Sequence, residues 1–410
     1  MTDETRARDF IALLAKHDFV GASAAFDEGM RKAIPTDQLG ALWAKLEEQV
    51  GKLQRIDSVE LHPLEGGDAA IAVVTFERAT LLVDIGIDTH GKVGGLHFAP
   101  KQAPPPPYEP PAYVKRDAFD EVDVMVGKLP GTLSLPKGGS HLPAVVLVHG
   151  SGPNDRDEHI GALVPFKDLA WGLASQGIAV LRYDKRTKVD PTGVRTQHDE
   201  VDEAAHAAVA LLAARPEVDP KRLALLGHSQ GGYLAPRIAA DDHAIKRLVI
   251  LAGSTRPLED SVVSQLNYFA KLHPEVHELA DQIHRAEQMK AQVEDPALAA
   301  DTPVDVLGAK LTGAYFLDVR GYHPAAVAAK LAIPILVLQG ERDYQVTIAD
   351  DFPAWKTALG KRRTVTFHTY PLLSHAFAPA GDPPSPADYD KPAHVDAQVI
   401  SDIAAFLNAR

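Results

Sequence analysis

Short apolar runs recur through the second half of the chain, at 144–148, 178–183, 223–226, 248–251, 335–338 and 364–370, each bounded by turn residues. Apart from the last, they do not alternate strictly with polar residues, as strands with one wet face would. A near-continuous apolar run marks a strand covered on both faces. Helical stretches separate the runs, so the pattern predicts a doubly wound, mostly parallel α/β sheet with helices on both sides. Two further runs, 121–127 and 129–135, read as an antiparallel pair ahead of it. Between the runs at 248–251 and 335–338 lies an excursion, 256–324, with charged helical stretches such as 276–293. That is too long for a loop, and it predicts a helical cap over the site.

The first hundred residues follow another rhythm. From 3 to 50 the apolar positions (Phe10, Leu13, Leu14, then Leu39, Leu42, Trp43, Leu46) recur at helical spacing. Short alternating runs follow at 56–62, 69–76, 79–87 and 92–98, with turns at Glu65-Gly66-Gly67-Asp68 and Thr89-His90-Gly91. Helices followed by an antiparallel meander make a small α+β domain. Its histidines, His62, His90 and His97, are scattered and form no catalytic group. Between the two halves stand Pro104-Pro105-Pro106-Pro107 and Pro110-Pro111, a stiff polyproline spacer. The expected division is therefore 1–99 for the α+β domain, 100–112 for the linker and 113–410 for the catalytic domain.

Bulk composition narrows the function. A chain of 410 residues suits two domains. A net charge of −13 with no basic stripe argues against a nucleic-acid surface. No apolar run reaches the roughly 20 residues that span a bilayer. The absence of cysteine excludes disulfides, a thiol nucleophile and Cys-ligated zinc. The N-terminus is polar, without a basic-then-apolar leader, so the chain as written reads as cytoplasmic; an exported protein lacking its signal is the alternative.

In a doubly wound sheet, ligands collect beyond the C-terminal ends of the strands. Three such ends carry chemistry. Gly227-His228-Ser229-Gln230-Gly231-Gly232 sits between a strand and a helix, where glycines permit a sharp turn that leaves Ser229 at its apex. Asp343 follows the strand at 335–338, and His375 follows the strand ending near Tyr370. Serine needs an imidazole to take its proton, and the imidazole needs a carboxylate to hold its tautomer. Glu341, Asp318, Asp350 and Asp351 compete with Asp343, and His368 and His394 with His375. The positions after strand ends favour Asp343 and His375. Oxyanion donors are expected from the N–H groups of Gln230 and Ser151, the latter in His149-Gly150-Ser151-Gly152-Pro153. Gly150 and Gly152 let that backbone approach a substrate, and Tyr183 and Tyr315 are candidate substrate contacts. For Tyr268, Phe269, Tyr315 and Phe316, packing within the cap is the competing expectation. The acidic loop Asn154–His159 and Arg182-Tyr183-Asp184-Lys185-Arg186 are expected to form ion pairs. No metal or cofactor is called for.

On these motifs, residues 119–410 resemble the α/β-hydrolase superfamily. The matching pieces are His149-Gly150-Ser151-Gly152-Pro153, Tyr183-Asp184-Lys185-Arg186, Gly227-His228-Ser229-Gln230-Gly231, Gln339-Gly340-Glu341-Arg342-Asp343 and Ser374-His375. More narrowly, the chain is similar to bacterial serine hydrolases near the dienelactone-hydrolase, acyl-peptidase and bile-acid-CoA-thioesterase-like branches. Residues 1–99 look similar to the DUF3887 domain, of NTF2-like shape. The resemblance implies a cofactor-independent serine hydrolase acting on small acyl esters, with amide and thioester cleavage, or a non-catalytic binding role, as alternatives. For the first domain it leaves open a gate, a polymer-binding face or a homodimer contact.

Overall fold

The computed structural model describes residues 2–64, 66–101 and 108–409. These divide into two compact units, one ending at Lys101 and one beginning at Tyr108. The run Pro104–Pro107 of the expected linker and Glu65 of the expected turn lie outside the described residues.

The first unit has four helices, α1 (Asp3–Ala15), α2 (Phe19–Ala25), α3 (Glu28–Ala33) and α4 (Thr36–Val50). Then come four strands, β1 (Leu53–Leu64), β2 (Gly67–Phe76), β3 (Thr80–Asp88) and β4 (Val93–Pro100), in that spatial order and antiparallel. α1 starts where Thr2 Oγ1 accepts the N–H of Thr5, and its buried face is Ala7, Phe10, Ile11 and Leu14. Alternate residues of β2, from Ala70 through Ala72 and Val74 to Phe76, are buried. They share a core with Phe10, Phe26 and Trp43. The period switches from helical to two because one sheet face is covered and the other is not.

The second unit is built on eight strands. β5 (Phe119–Val126) and β6 (Leu129–Pro136) form the antiparallel pair, followed by β7 (Leu142–Val148), helix α5 (Pro165–Ala174) and β8 (Ala179–Tyr183). A short α6 (Arg186–Val189) and α7 (Glu203–Ala213) lead to β9 (Val218–His228), α8 (Gln230–Asp241) and β10 (Arg247–Leu251). After the cap come β13 (Ile335–Gly340), α13 (Phe352–Leu359), β14 (Val365–Tyr370) and α14 (Ala397–Asn408). The sheet order is β14-β13-β10-β9-β7-β8-β6-β5, parallel from β14 to β8.

Residues of β7 show why its sequence is apolar throughout. Val146 and Val148 pack into a core with α7, α8 and α13, whereas Val145 and Leu147 pack into another with α5 and α14. Both faces are dry, and each such side chain contributes about 1.5–3 kcal/mol. Tyr108, expected in the linker, already belongs to this unit. Its hydroxyl donates to Asp168 at 2.7 Å, and that of Tyr113 to the Val395 carbonyl at 2.9 Å.

The cap differs from expectation. It contains α9 (Leu258–Leu272) and α10 (Glu278–Glu294), but then a hairpin of β11 (Pro303–Val306) and β12 (Ala309–Thr312), closed by α11 (Gly313–Leu317) and α12 (Pro324–Ala328). The turn Leu307-Gly308, both residues at positive φ, makes the hairpin. No helix among the described residues is long and apolar enough to cross a membrane.

Candidate active site

Between β9 and α8 the chain reverses within one residue. Ser229 has φ 53° and ψ −114°, an uncommon backbone state for a residue with a side chain. Its neighbours make the turn feasible. A Cβ on Gly227 would lie 2.2 Å from the carbonyl oxygen of Gly231, and one on Gly231 would lie 2.2 Å from that of Val148. Ser229 N–H donates to the Leu251 carbonyl and its own carbonyl accepts from Tyr233, so the strained residue is pinned at both ends. The side chain is left at the N-terminus of α8, where helix N–H groups favour negative charge.

Beyond the ends of β13 and β14, His375 Nδ1 lies 2.7 Å from Asp343 Oδ2, both side chains buried. Asp343 also accepts from Gln339 Nε2 at 3.0 Å and from the N–H groups of Gln345 and Val346 at 2.8 and 2.9 Å. A carboxylate so fully engaged is held in one orientation. The competing residues are occupied elsewhere. Glu341 accepts from Thr369, Asp318 pairs with Arg237, Asp351 is buried against Arg256, and Asp350 accepts from Thr347. His368 lies near Asp402, and His394 bonds Asp168.

The loop after β7 is clamped on both sides of residue 150. Gly150 N–H donates to Glu158 Oε1 at 2.6 Å, while its carbonyl accepts from Lys185 Nζ at 2.8 Å and from Asn154 Nδ2 at 3.1 Å. Lys185 also reaches Gln230 Oε1 and Glu200 Oε1, each at 2.9 Å. Burial lowers the Lys185 pKa, opposed by the Glu200 charge; for Glu200, burial is outweighed by Lys185 and its hydrogen bonds, and its pKa falls. The expected ion pairs are present: Arg182 with Asp157, Arg156 with Asp184, and Arg186 with Glu203. Among the described residues, no intramolecular hydrogen bond uses the N–H of Ser151 or Gln230.

A cavity of about 350 Å³ opens between this loop and the cap, and Gly150, Ser151, Ser229, Gln230 and His375 all line it. Apolar Leu258 and Val262 of α9 share its wall with Gln265 and Gln345. Three expected contacts are corrected. Tyr183 is buried beneath the loop, its ring edge-on to His149 at 5.4 Å, because β8 turns it into the core. Tyr315 packs inside the cap, and its hydroxyl bonds Glu200 at 2.6 Å and Gln230 at 2.7 Å. Gly152 is exposed at φ 95° and is not part of the cavity wall. Tyr268, Phe269 and Phe316 also pack among other cap or rim residues.

Sequence reading missed the partner of His228. Its Nδ1 lies 3.0 Å from Glu158 Oε2, and its Nε2 lies 3.0 Å from the carbonyl of His375. Both side chains are buried. The available signal was a histidine just past the apolar run 223–226, where a buried imidazole requires a polar partner.

The chain matches the family described as serine aminopeptidase, S33, over residues 139–379, and residues 7–96 match a family of unknown function, DUF3887. It is 37% identical over 401 residues to "Esterase EstD" of Thermotoga maritima, covering 97% of this chain and 93% of that protein. It is 26% identical over 257 residues to the mitochondrial acyl-coenzyme A thioesterase 2 of Homo sapiens, covering 62% of this chain and 47% of that protein. The solved structure of Est1E from Butyrivibrio proteoclasticus aligns with a TM-score of 0.46 at 18% identity, covering 70% of this chain and 96% of that one.

Proposed function

The chain belongs to the serine aminopeptidase S33 family of hydrolases, and we propose that within it the protein is a serine ester hydrolase acting through Ser229. The observation that carries this reading is the placement of Ser229 and His375 on one cavity wall, with His375 tied to Asp343. Its 37% identity to a protein named as an esterase, along nearly the whole chain, supports an ester as the bond cleaved.

In this reading His375 Nε2 takes the proton from Ser229 Oγ as the oxygen attacks the acyl carbon. Asp343 holds the proton on Nδ1 and stabilises the imidazolium that forms. The negative charge that develops on the carbonyl oxygen is met by the N–H groups of Ser151 and Gln230, which have no competing acceptor among the described residues. Collapse expels the alcohol, which receives the proton from His375. Water, deprotonated by His375, then releases the acid and restores Ser229. We assign residues 113–410 as the catalytic domain and 1–99 as an accessory domain.

Thioesters and amides pass through the same tetrahedral chemistry, so the bond class is settled by parallel turnover of a chromogenic butyrate ester, an aminoacyl anilide and an acyl-CoA. The ester is expected to react fastest. Replacing Ser229 by alanine should lower ester turnover by about 10⁴-fold or more. A variant retaining the wild-type rate would refute the assignment.

A further inference from the structure

Glu158 is buried, yet it occupies a left-handed backbone conformation at φ 53°, which a residue with a side chain adopts only at a cost. Its carboxylate touches two parts of the site and reaches a third through His228. Oε1 accepts the N–H of Gly150 at 2.6 Å, which commits that donor and leaves the next one, on Ser151, free for the substrate. Oε2 lies 3.0 Å from Nδ1 of His228, the residue immediately before Ser229. Across that imidazole, Nε2 meets the main-chain carbonyl of His375 at 3.0 Å. The rings of His228 and His375 are 4.7 Å apart.

We propose that Glu158 is a positioning residue for acyl transfer, a single buried carboxylate that sets the oxyanion loop and, through His228, the main chain of His375. The proposal rests on the serine-hydrolase reading above. The ionisation of the pair agrees with the geometry. Burial opposes charge on both groups, but each is outweighed by the other's charge, so the Glu158 pKa lies below and the His228 pKa above the ordinary value. A buried ion pair is poor evidence of stabilisation in itself. Here it stands where a shift of about 1 Å in a donor or base costs on the order of 10²-fold in rate.

The test compares E158A with E158Q on the full chain, with kcat expressed per site titrated by a chromogenic fluorophosphonate, so that unfolded protein is not counted. E158A removes the acceptor for Gly150, whereas E158Q keeps an amide oxygen there. E158A should lose about 100-fold or more in kcat with KM changed less than about threefold, and E158Q should recover at least about tenfold of that loss. If E158A yields no titratable sites, E158D, whose carboxylate is retracted by one methylene, takes its place with the same ordering. A kcat per titrated site within about threefold of wild type in the variant lacking the contact would overturn the positioning role while leaving the Ser229 mechanism intact. Failure of the wild-type enzyme to titrate at all would overturn the nucleophile assignment, and the positioning role with it.

Discussion

His375 Nδ1 and Asp343 Oδ2, 32 residues apart in the chain, meet at 2.7 Å in a buried contact. Asp343 is fixed there by three further donors, so the imidazole has one orientation available. Replacing Asp343 by asparagine keeps the shape but removes the charge and puts the wrong tautomer on His375. We expect kcat for an ester to fall about 10⁴-fold with little change in the unfolding midpoint. Steady-state kinetics and thermal unfolding on one preparation check this.

The turn at Ser229 depends on glycine at a place with no room to relax. A methyl group on Gly231 would meet the backbone oxygen of Val148. Gly231→Ala should therefore lower stability by at least about 2 kcal/mol, as overpacking against rigid main chain does. Denaturant unfolding monitored by tryptophan fluorescence reads this directly, and an unchanged midpoint would contradict it.

Much of this was legible in the chain. The central strands β7, β8, β9, β10 and β13 announced themselves because both faces of the sheet are dry there, which writes apolar residues at consecutive positions. Their ends were less visible. β9 begins at Val218, but Asp219, Lys221 and Arg222 near its start are exposed or half-buried and carry no apolar signal. The hairpin of β11 and β12 escaped because four-residue strands show no period against a helical background. Ser229, Asp343 and His375 were legible as candidates from motif and strand end. The Glu158–His228 pair was not, because Glu158 lies in an acidic loop whose composition suggests solvent, and only tertiary packing buries it. Tyr183 was misjudged for the opposite reason. Being at a strand end does not say which way the last side chain turns.

Acid should weaken the protein through His149. This residue is fully buried, and burial, with the charge of Lys185 also opposing protonation, takes its pKa down to about 4. The unfolded chain binds the proton near pH 6.5 and the folded one only near 4, so stability falls as pH drops through that interval. The loss is on the order of 3 kcal/mol. His149→Phe should show a shallower decline of stability between pH 6.5 and 4 than the wild type in denaturant titrations. An identical slope would contradict the assignment.

The cap is entered through an ion pair whose removal should be felt twice. Asp351 is fully buried against Arg256, which also lines the cavity. Arg256→Met leaves that carboxylate without its cation and should cost about 3 kcal/mol or more in stability. Because α9 begins two residues later, KM should rise as well. Unfolding and steady-state kinetics together test the two effects.

The most direct measurement is the mass of the enzyme after reaction with a fluorophosphonate. The account predicts one phosphonyl adduct per chain, on the peptide that contains Ser229, formed in step with the loss of ester turnover and absent from Ser229→Ala. An adduct on any other residue accompanying that loss, or an enzyme that turns over esters while Ser229 stays unmodified, would contradict it.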